Sequence, residues 1–198
     1  MDSIGSCRII FGPMFSGKTT TLIHELATLA DLDYKVLYIN HSDDVRSTLV
    51  QDAYVTTHHS QFRELSSKIT AKKVNRLSLI DTEQFDVIGI DEGHFFDDLE
   101  VVREWIINRC KTVIIASLDG DYLMQPFGKA HHLICLCDPN NVTKLGAACH
   151  CCLRRNRLRI PAGFTAKITM EGEHVQKDVG GAEKYISLCM KCYKEHTF

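Results

Sequence analysis

The chain has 198 residues, 44% of them hydrophobic, which suffices to bury the core of one ordinary domain plus a small appendage and excludes disorder. Its formal net charge of −2 gives no general attraction to nucleic acid or to a membrane surface. An odd count of nine cysteines, no run of 18 apolar residues and no signal-peptide pattern argue against a disulfide framework and a membrane span; a cytoplasmic location is expected.

In chain order, Cys7-Arg8-Ile9-Ile10-Phe11 is a short apolar run that predicts a buried strand. It leads into Gly12-Pro13-Met14-Phe15-Ser16-Gly17-Lys18-Thr19, a complete G-x-x-x-x-G-K-[ST] phosphate-binding loop, and Thr19 to Ala30 follows with helical spacing. Gly12 and Gly17 permit the tight path that turns backbone amides toward phosphate oxygens. Lys18 reaches the outer phosphates, the Thr19 hydroxyl can ligate Mg²⁺, and the helix N-terminus adds a favourable dipole. The chain therefore binds a nucleoside triphosphate.

Further strands are predicted at Lys35–Asn40, Phe85–Ile90, Thr112–Ser117 and His132–Cys137, mostly continuous and β-branched, as expected of strands covered on both faces. A helix is predicted over Asp97–Arg109, with the carboxylates of Asp97 and Asp98 suited to its N-terminus. Alternating strands and helices imply an open, mostly parallel α/β sheet. The strand Val87-Ile88-Gly89-Ile90 ends in Asp91-Glu92. In nucleoside triphosphate enzymes an Asp so placed holds Mg²⁺ beside the loop hydroxyl, and Glu92 is then placed to accept a proton from the group that attacks the γ-phosphate.

The turn cluster Asp138-Pro139-Asn140-Asn141 separates a nucleotide-binding α/β domain, residues 1–140, from a smaller one, residues 141–198. The second contains Cys149-x-x-Cys152 and Cys189-x-x-Cys192, a spacing with which four thiolates surround Zn²⁺ tetrahedrally in a closed, structural site. Cys151 and His150 are competing donors, but only Cys149 and Cys152 have the two-residue spacing. Cys7, Cys110, Cys135 and Cys137 are read as small hydrophobes on core elements, and the run Arg154, Arg155, Arg157, Arg159 as a solvated surface.

Together these motifs resemble the zinc-containing, type II thymidine kinases, and the resemblance spans nearly the whole chain. Asp91-Glu92-Gly93-His94-Phe95-Phe96 is similar to that family's Asp-Glu-x-x-Phe-Phe block, although His94 stands where Gln is frequent. Leu118-Asp119-Gly120 and Pro126-Phe127-Gly128 are similar to two further segments, and Val179-Gly180-Gly181-Ala182-Glu183-Lys184-Tyr185 to the loop that closes over thymidine. The resemblance implies a RecA-like α/β domain, a small zinc domain with a lasso loop, and transfer of the ATP γ-phosphate to the 5′-hydroxyl of thymidine. Glu92 would be the base, with Gly12 to Thr19, Arg46 and Asp91 serving ATP and Mg²⁺. Met14, Phe95, Leu118, Tyr122, Phe127, Val179, Gly180 and Tyr185 would surround the nucleoside; Phe164 and Thr165 would be further lasso contacts. It also implies a homotetramer and feedback inhibition by dTTP. An ATP-driven nucleic-acid-binding module with a zinc ribbon is the rival class, disfavoured by the slightly acidic balance and the single basic cluster.

Overall fold

The computed structural model describes residues 4–44, 54–56, 62–64, 68–169, 176–177 and 180–197. The chain opens with β1 (Ser6–Phe11), α1 (Lys18–Asp31) and β2 (Val36–His41), followed by the small antiparallel pair β3 (Tyr54–Thr56) and β4 (Phe62–Glu64). Next come β5 (Ile69–Val74), β6 (Val87–Ile90), α2 (Val102–Ile107), β7 (Thr112–Ser117) and β8 (Val142–Lys144). Among the described residues six strands form one sheet in the order β5-β2-β6-β7-β1-β8, every neighbouring pair parallel.

Side-chain alternation along the strands sorts the core into two layers. Ile10, Tyr38, Val87 and Ile114 face α1, which presents Leu22, Ile23, Leu26 and Ala30 at helical spacing. Each fully buried leucine of that row contributes about 1.5–3 kcal/mol. The approach is close at Gly89, where a Cβ would lie 2.3 Å from Leu26 Cδ1. Ile9, Leu37, Ile88, Val113 and Ile115 face the other way, onto Phe96, Leu99, Trp105 and Leu133. With apolar cover on both faces, the central strands have no solvated side to alternate toward, which is why their sequences are continuous apolar runs.

Three expectations are corrected. His132–Cys137 is no strand: Ala130–Leu136 forms a 3₁₀ helix in which Ala130, Leu133 and Leu136 turn inward while Ile134 and Cys135 are exposed. Burial every third residue is the period of that helix. The sheet's last strand is β8, which lies past the Asp138–Asn141 turn and pairs with β1. The helix over Asp97–Arg109 is shorter and in two parts, a 3₁₀ turn at Leu99–Val101 and then α2; neither start has a side-chain cap. Asp98 instead accepts the N–H groups of Leu77 and Ser78, and Asp97 pairs with Lys177. Of the four cysteines assigned to the core, Cys7 is buried and Cys137 half-buried, but Cys110 and Cys135 are exposed. Cys110 sits exposed at φ 52 in the turn between α2 and β7.

Beyond β8 the chain forms β9 (Ala147–Ala148), α3 (His150–Asn156), β10 (Pro161–Ala162), β11 (Phe164–Lys167), β12 (Tyr185–Leu188) and α4 (Met190–Thr197). β11 and β12 pair antiparallel, with Thr165 opposite Ser187. Ala147, Cys149, Ala166, Leu188 and Tyr193 make a separate small core. Among the described residues no helix is long and apolar enough to cross a membrane.

Candidate active site

The carboxyl ends of three strands converge on one place. β1 runs into the phosphate loop, β6 into Asp91 and Glu92, and β7 into Leu118. Such a crevice is where open parallel sheets take ligands. Within the loop, Phe15 at φ 63 and Gly17 at φ 86 make the left-handed turns that bring the chain to α1, whose first residue is Lys18. A Cβ at Gly12 would fall 2.8 Å from the Leu145 carbonyl oxygen, so the close passage of β8's end excludes any larger residue there. Lys18 is buried, and its Nζ donates to the Pro13 carbonyl at 2.8 Å, as does Ser16 Oγ.

Asp91 sits directly behind the loop. Its Oδ1 accepts from Thr19 Oγ1 at 3.1 Å and from the Glu92 N–H at 3.0 Å, and its Oδ2 accepts from Tyr38 Oη at 2.9 Å. Burial, reinforced by the charges of Glu92 and Asp44, raises the Asp91 pKa to about 7 against the opposing hydrogen bonds of Tyr38 and Thr19. The same burial and the Asp91 charge push the Tyr38 phenol up, so Tyr38 remains a donor. A carboxylate so short of positive charge, aligned with a loop hydroxyl, fits a divalent cation.

Glu92 is buried in the left-handed region at φ 50, ψ 43, a conformation that costs a non-glycine residue on the order of 1 kcal/mol. The turn breaks away from the strand direction and brings Glu92 to the wall of a cavity. That cavity is lined by Met14 of the phosphate loop and by Phe95, Leu118, Tyr122 and Phe127. Gly180, Tyr185 and Thr165 close it from the C-terminal unit. Seven of the residues assigned to the nucleoside from sequence thus surround one space. Arg46 and Val179, assigned to ATP and to the nucleoside, lie outside the described residues.

Four further residues of the wall were not assigned from sequence: His94, Gly120, Asp121 and Gln176. Asp121 is buried and organises its own loop, accepting from Leu123 N and Gln125 N at 2.9 Å and from Gln176 Nε2 at 3.0 Å. Gln176 also donates to the Pro126 carbonyl, and Lys177 to Phe95 O and Asp97 Oδ1, so this segment is tied down beside the cavity. The polar residues Asp119 and Asp121 alternating with Gly120 were the available signal. A second, more open groove borders the other side of the loop, with Ser16, Gly17, His150 and Arg159 among its walls.

The C-terminal unit grips the loop directly. Met14 N–H donates to Thr165 Oγ1 at 3.0 Å, and Ser187 Oγ donates to the Met14 carbonyl at 2.6 Å. Tyr193 Oη donates to the Tyr122 carbonyl at 2.6 Å. Next to this hairpin Cys149, Cys152, Cys189 and Cys192 bring their sulfurs within 4.8 Å of one another, at 3.9 Å for Cys152–Cys189 and 3.5 Å for Cys152–Cys192. Tetrahedral Zn–S bonds of about 2.3 Å demand sulfurs about 3.8 Å apart, so the four fit zinc. Burial acts to raise the Cys149 pKa, but hydrogen bonds from the N–H groups and thiols of Cys152 and Cys189 overcome it and lower the value to about 7, while burial pushes the Cys192 thiol up. Cys151 is not one of the four. The arginines of the basic run are exposed, as read.

The sequence profile of the family described as Thymidine kinase matches residues 5–193. The chain is 36% identical to "Thymidine kinase 1" of Dictyostelium discoideum over 96% of its own length and 78% of that protein's. It is 34% identical to the "Thymidine kinase" of Fowlpox virus (strain NVSL), covering 96% of this chain and 98% of the viral one. To "Thymidine kinase, cytosolic" of Homo sapiens it is 35% identical, over 96% of this chain and 73% of the human one. The profile and the coverage agree with the geometry: the chain belongs to the thymidine kinase family.

Proposed function

We propose that the protein transfers the γ-phosphate of ATP to the 5′-hydroxyl of thymidine, giving dTMP, with deoxyuridine as a second substrate. The observation that supports this most is that Glu92 and Met14 of the phosphate loop share one cavity walled by aromatic side chains. A nucleoside stacked there would hold its hydroxyl between a carboxylate and the place where the loop presents a phosphate.

Each residue then has a chemical task. The amides from Gly12 to Thr19 and the N-terminus of α1 hold the triphosphate oxygens. Lys18 exchanges the Pro13 carbonyl for a phosphate oxygen, a stronger, charge-assisted bond. Thr19 and Asp91 would hold Mg²⁺, which when bound neutralises the charge of the β- and γ-phosphates. Glu92 accepts the proton of the 5′-hydroxyl as the bond to phosphorus forms. Phe95, Phe127, Leu118 and Tyr122 clasp the base, and main-chain groups of the segment from Val179 to Tyr185 pair with its polar edge. Arg46 serves the phosphates.

Zn²⁺ on Cys149, Cys152, Cys189 and Cys192 is structural in this reading. It anchors the unit after residue 140, whose strand β8 ties it into the nucleotide-binding sheet. By family resemblance we assign the protein to the cytoplasm, as a homotetramer subject to feedback by dTTP, in salvage of thymidine for DNA synthesis. The test is ADP release by the purified protein with Mg-ATP and each deoxynucleoside in turn. Stimulation by thymidine, with dTMP as product, is the expected result. Stimulation by single-stranded DNA in place of thymidine would overturn the reading.

A further inference from the structure

His94 is confined on every side and turned toward Glu92. It is 2% exposed, with its ring between those of Phe95 and Phe127 at centroid separations of 4.3 and 4.6 Å. Gly128, at φ +67, passes so close behind it that a Cβ there would lie 2.5 Å from His94 Cα. Backbone and ring are therefore both fixed. Nδ1 accepts the Leu118 N–H at 3.2 Å. A ring nitrogen that accepts a hydrogen bond has no proton, so in the neutral imidazole the proton is on Nε2. That nitrogen faces Glu92 Oε2 at 3.6 Å.

Resting on the reading of Glu92 as the base, we infer that His94 is a positioning residue whose neutral Nε2–H aims the Glu92 carboxylate at the substrate hydroxyl. The 3.6 Å separation is longer than a hydrogen bond, so the contact orients the carboxylate electrostatically. A short bond to the same oxygen would stabilise the ionised form and make a poorer base. The strained backbone of Glu92 leaves its side chain at the cavity wall, and the imidazole limits where along that wall the carboxylate rests. Because Leu118 also lines the cavity, one ring fixes both the base and part of the nucleoside wall.

Two amide substitutions separate the two nitrogens. In His94→Asn the shorter side chain offers an acceptor to Leu118 N–H but no donor near Glu92. In His94→Gln the amide reaches the position of Nε2 and can donate there. Steady-state kinetics with thymidine, alongside melting temperatures, should show kcat of His94→Asn reduced about 10- to 100-fold, as expected of a misaimed catalytic group, with KM within about threefold of the parent. His94→Gln should recover most of that rate. Unchanged kcat in His94→Asn, a loss confined to KM, or a His94→Gln enzyme as slow as His94→Asn would overturn the inference. Glu92→Gln, measured in parallel, separates the two levels. If it turns over at the parental rate, the base assignment falls and this inference with it; if it is inactive while His94→Asn is fully active, only the role of His94 falls.

Discussion

In the proposed transfer Glu92 and Lys18 would serve different stages, and substitution separates them. Glu92→Gln keeps the size of the side chain and removes its ability to take a proton. We expect kcat to fall about 10²–10⁴-fold while ATP affinity, measured by calorimetry, stays nearly unchanged. Lys18→Ala should weaken ATP binding and the rate together, because in the proposed mechanism the ammonium contacts phosphate in both ground and transition states. The placement of both residues was legible in the sequence because each lies inside a contiguous motif directly after a strand of the sheet. His94 also lies inside a motif, yet its contacts were not legible. They depend on Leu118, 24 positions away, and on Phe127, which only the fold brings alongside.

Among the elements, the four inner strands β1, β2, β6 and β7 were read correctly because burial on both faces leaves an uninterrupted signature, whereas the apolar run His132–Cys137 misled, being largely a 3₁₀ helix. β5, Ile-Thr-Ala-Lys-Lys-Val, was missed: it is an edge strand with its lysines half-exposed, and polar residues there look like loop. Asp98 misled for a different reason. A carboxylate ahead of a helix looks like a cap, but this one is taken by Leu77 N at 3.1 Å and Ser78 N at 2.9 Å. Partial burial opposes ionisation, yet the hydrogen bonds from Ser78 and Leu77 prevail and hold its pKa below the ordinary carboxylate range. The folded state thus favours the ionised group. Its stabilisation is present above the unfolded pKa of about 4 and is lost as pH falls through the lower folded value. Asp98→Ala should therefore cost about 1–3 kcal/mol in urea unfolding at neutral pH, and the difference from the parent should shrink below about pH 4.

At the scale of the whole molecule, the small cysteine-bearing unit and the nucleotide-binding sheet meet at Met14, whose N–H and carbonyl are held by Thr165 and Ser187. Removing the proposed zinc should accordingly reach the phosphate loop. Cys152→Ser should lose zinc by elemental analysis and activity along with it, whereas Cys151→Ser should retain both. Selectivity also belongs to this scale, since the cavity takes its walls from both units. Deoxyuridine should be phosphorylated and deoxycytidine very poorly, because each unmatched buried polar group costs on the order of 1–3 kcal/mol; comparable kcat/KM for deoxycytidine and thymidine would show that the loop does not read the base. In β12 and just beyond it, Tyr185 lines the cavity, Ser187 holds Met14 and Cys189 belongs to the sulfur cluster, each two residues from the next. With a side-chain period of two, Tyr185 and Ser187 project from one face of β12, while Leu188 packs with Cys189 in the small core. The segment is therefore a ruler more than a surface. Conservative replacements along it disturb one task at a time, but one residue added or deleted between Tyr185 and Ser187 turns one of them to the opposite face and separates the cavity wall from the hold on Met14 in a single step.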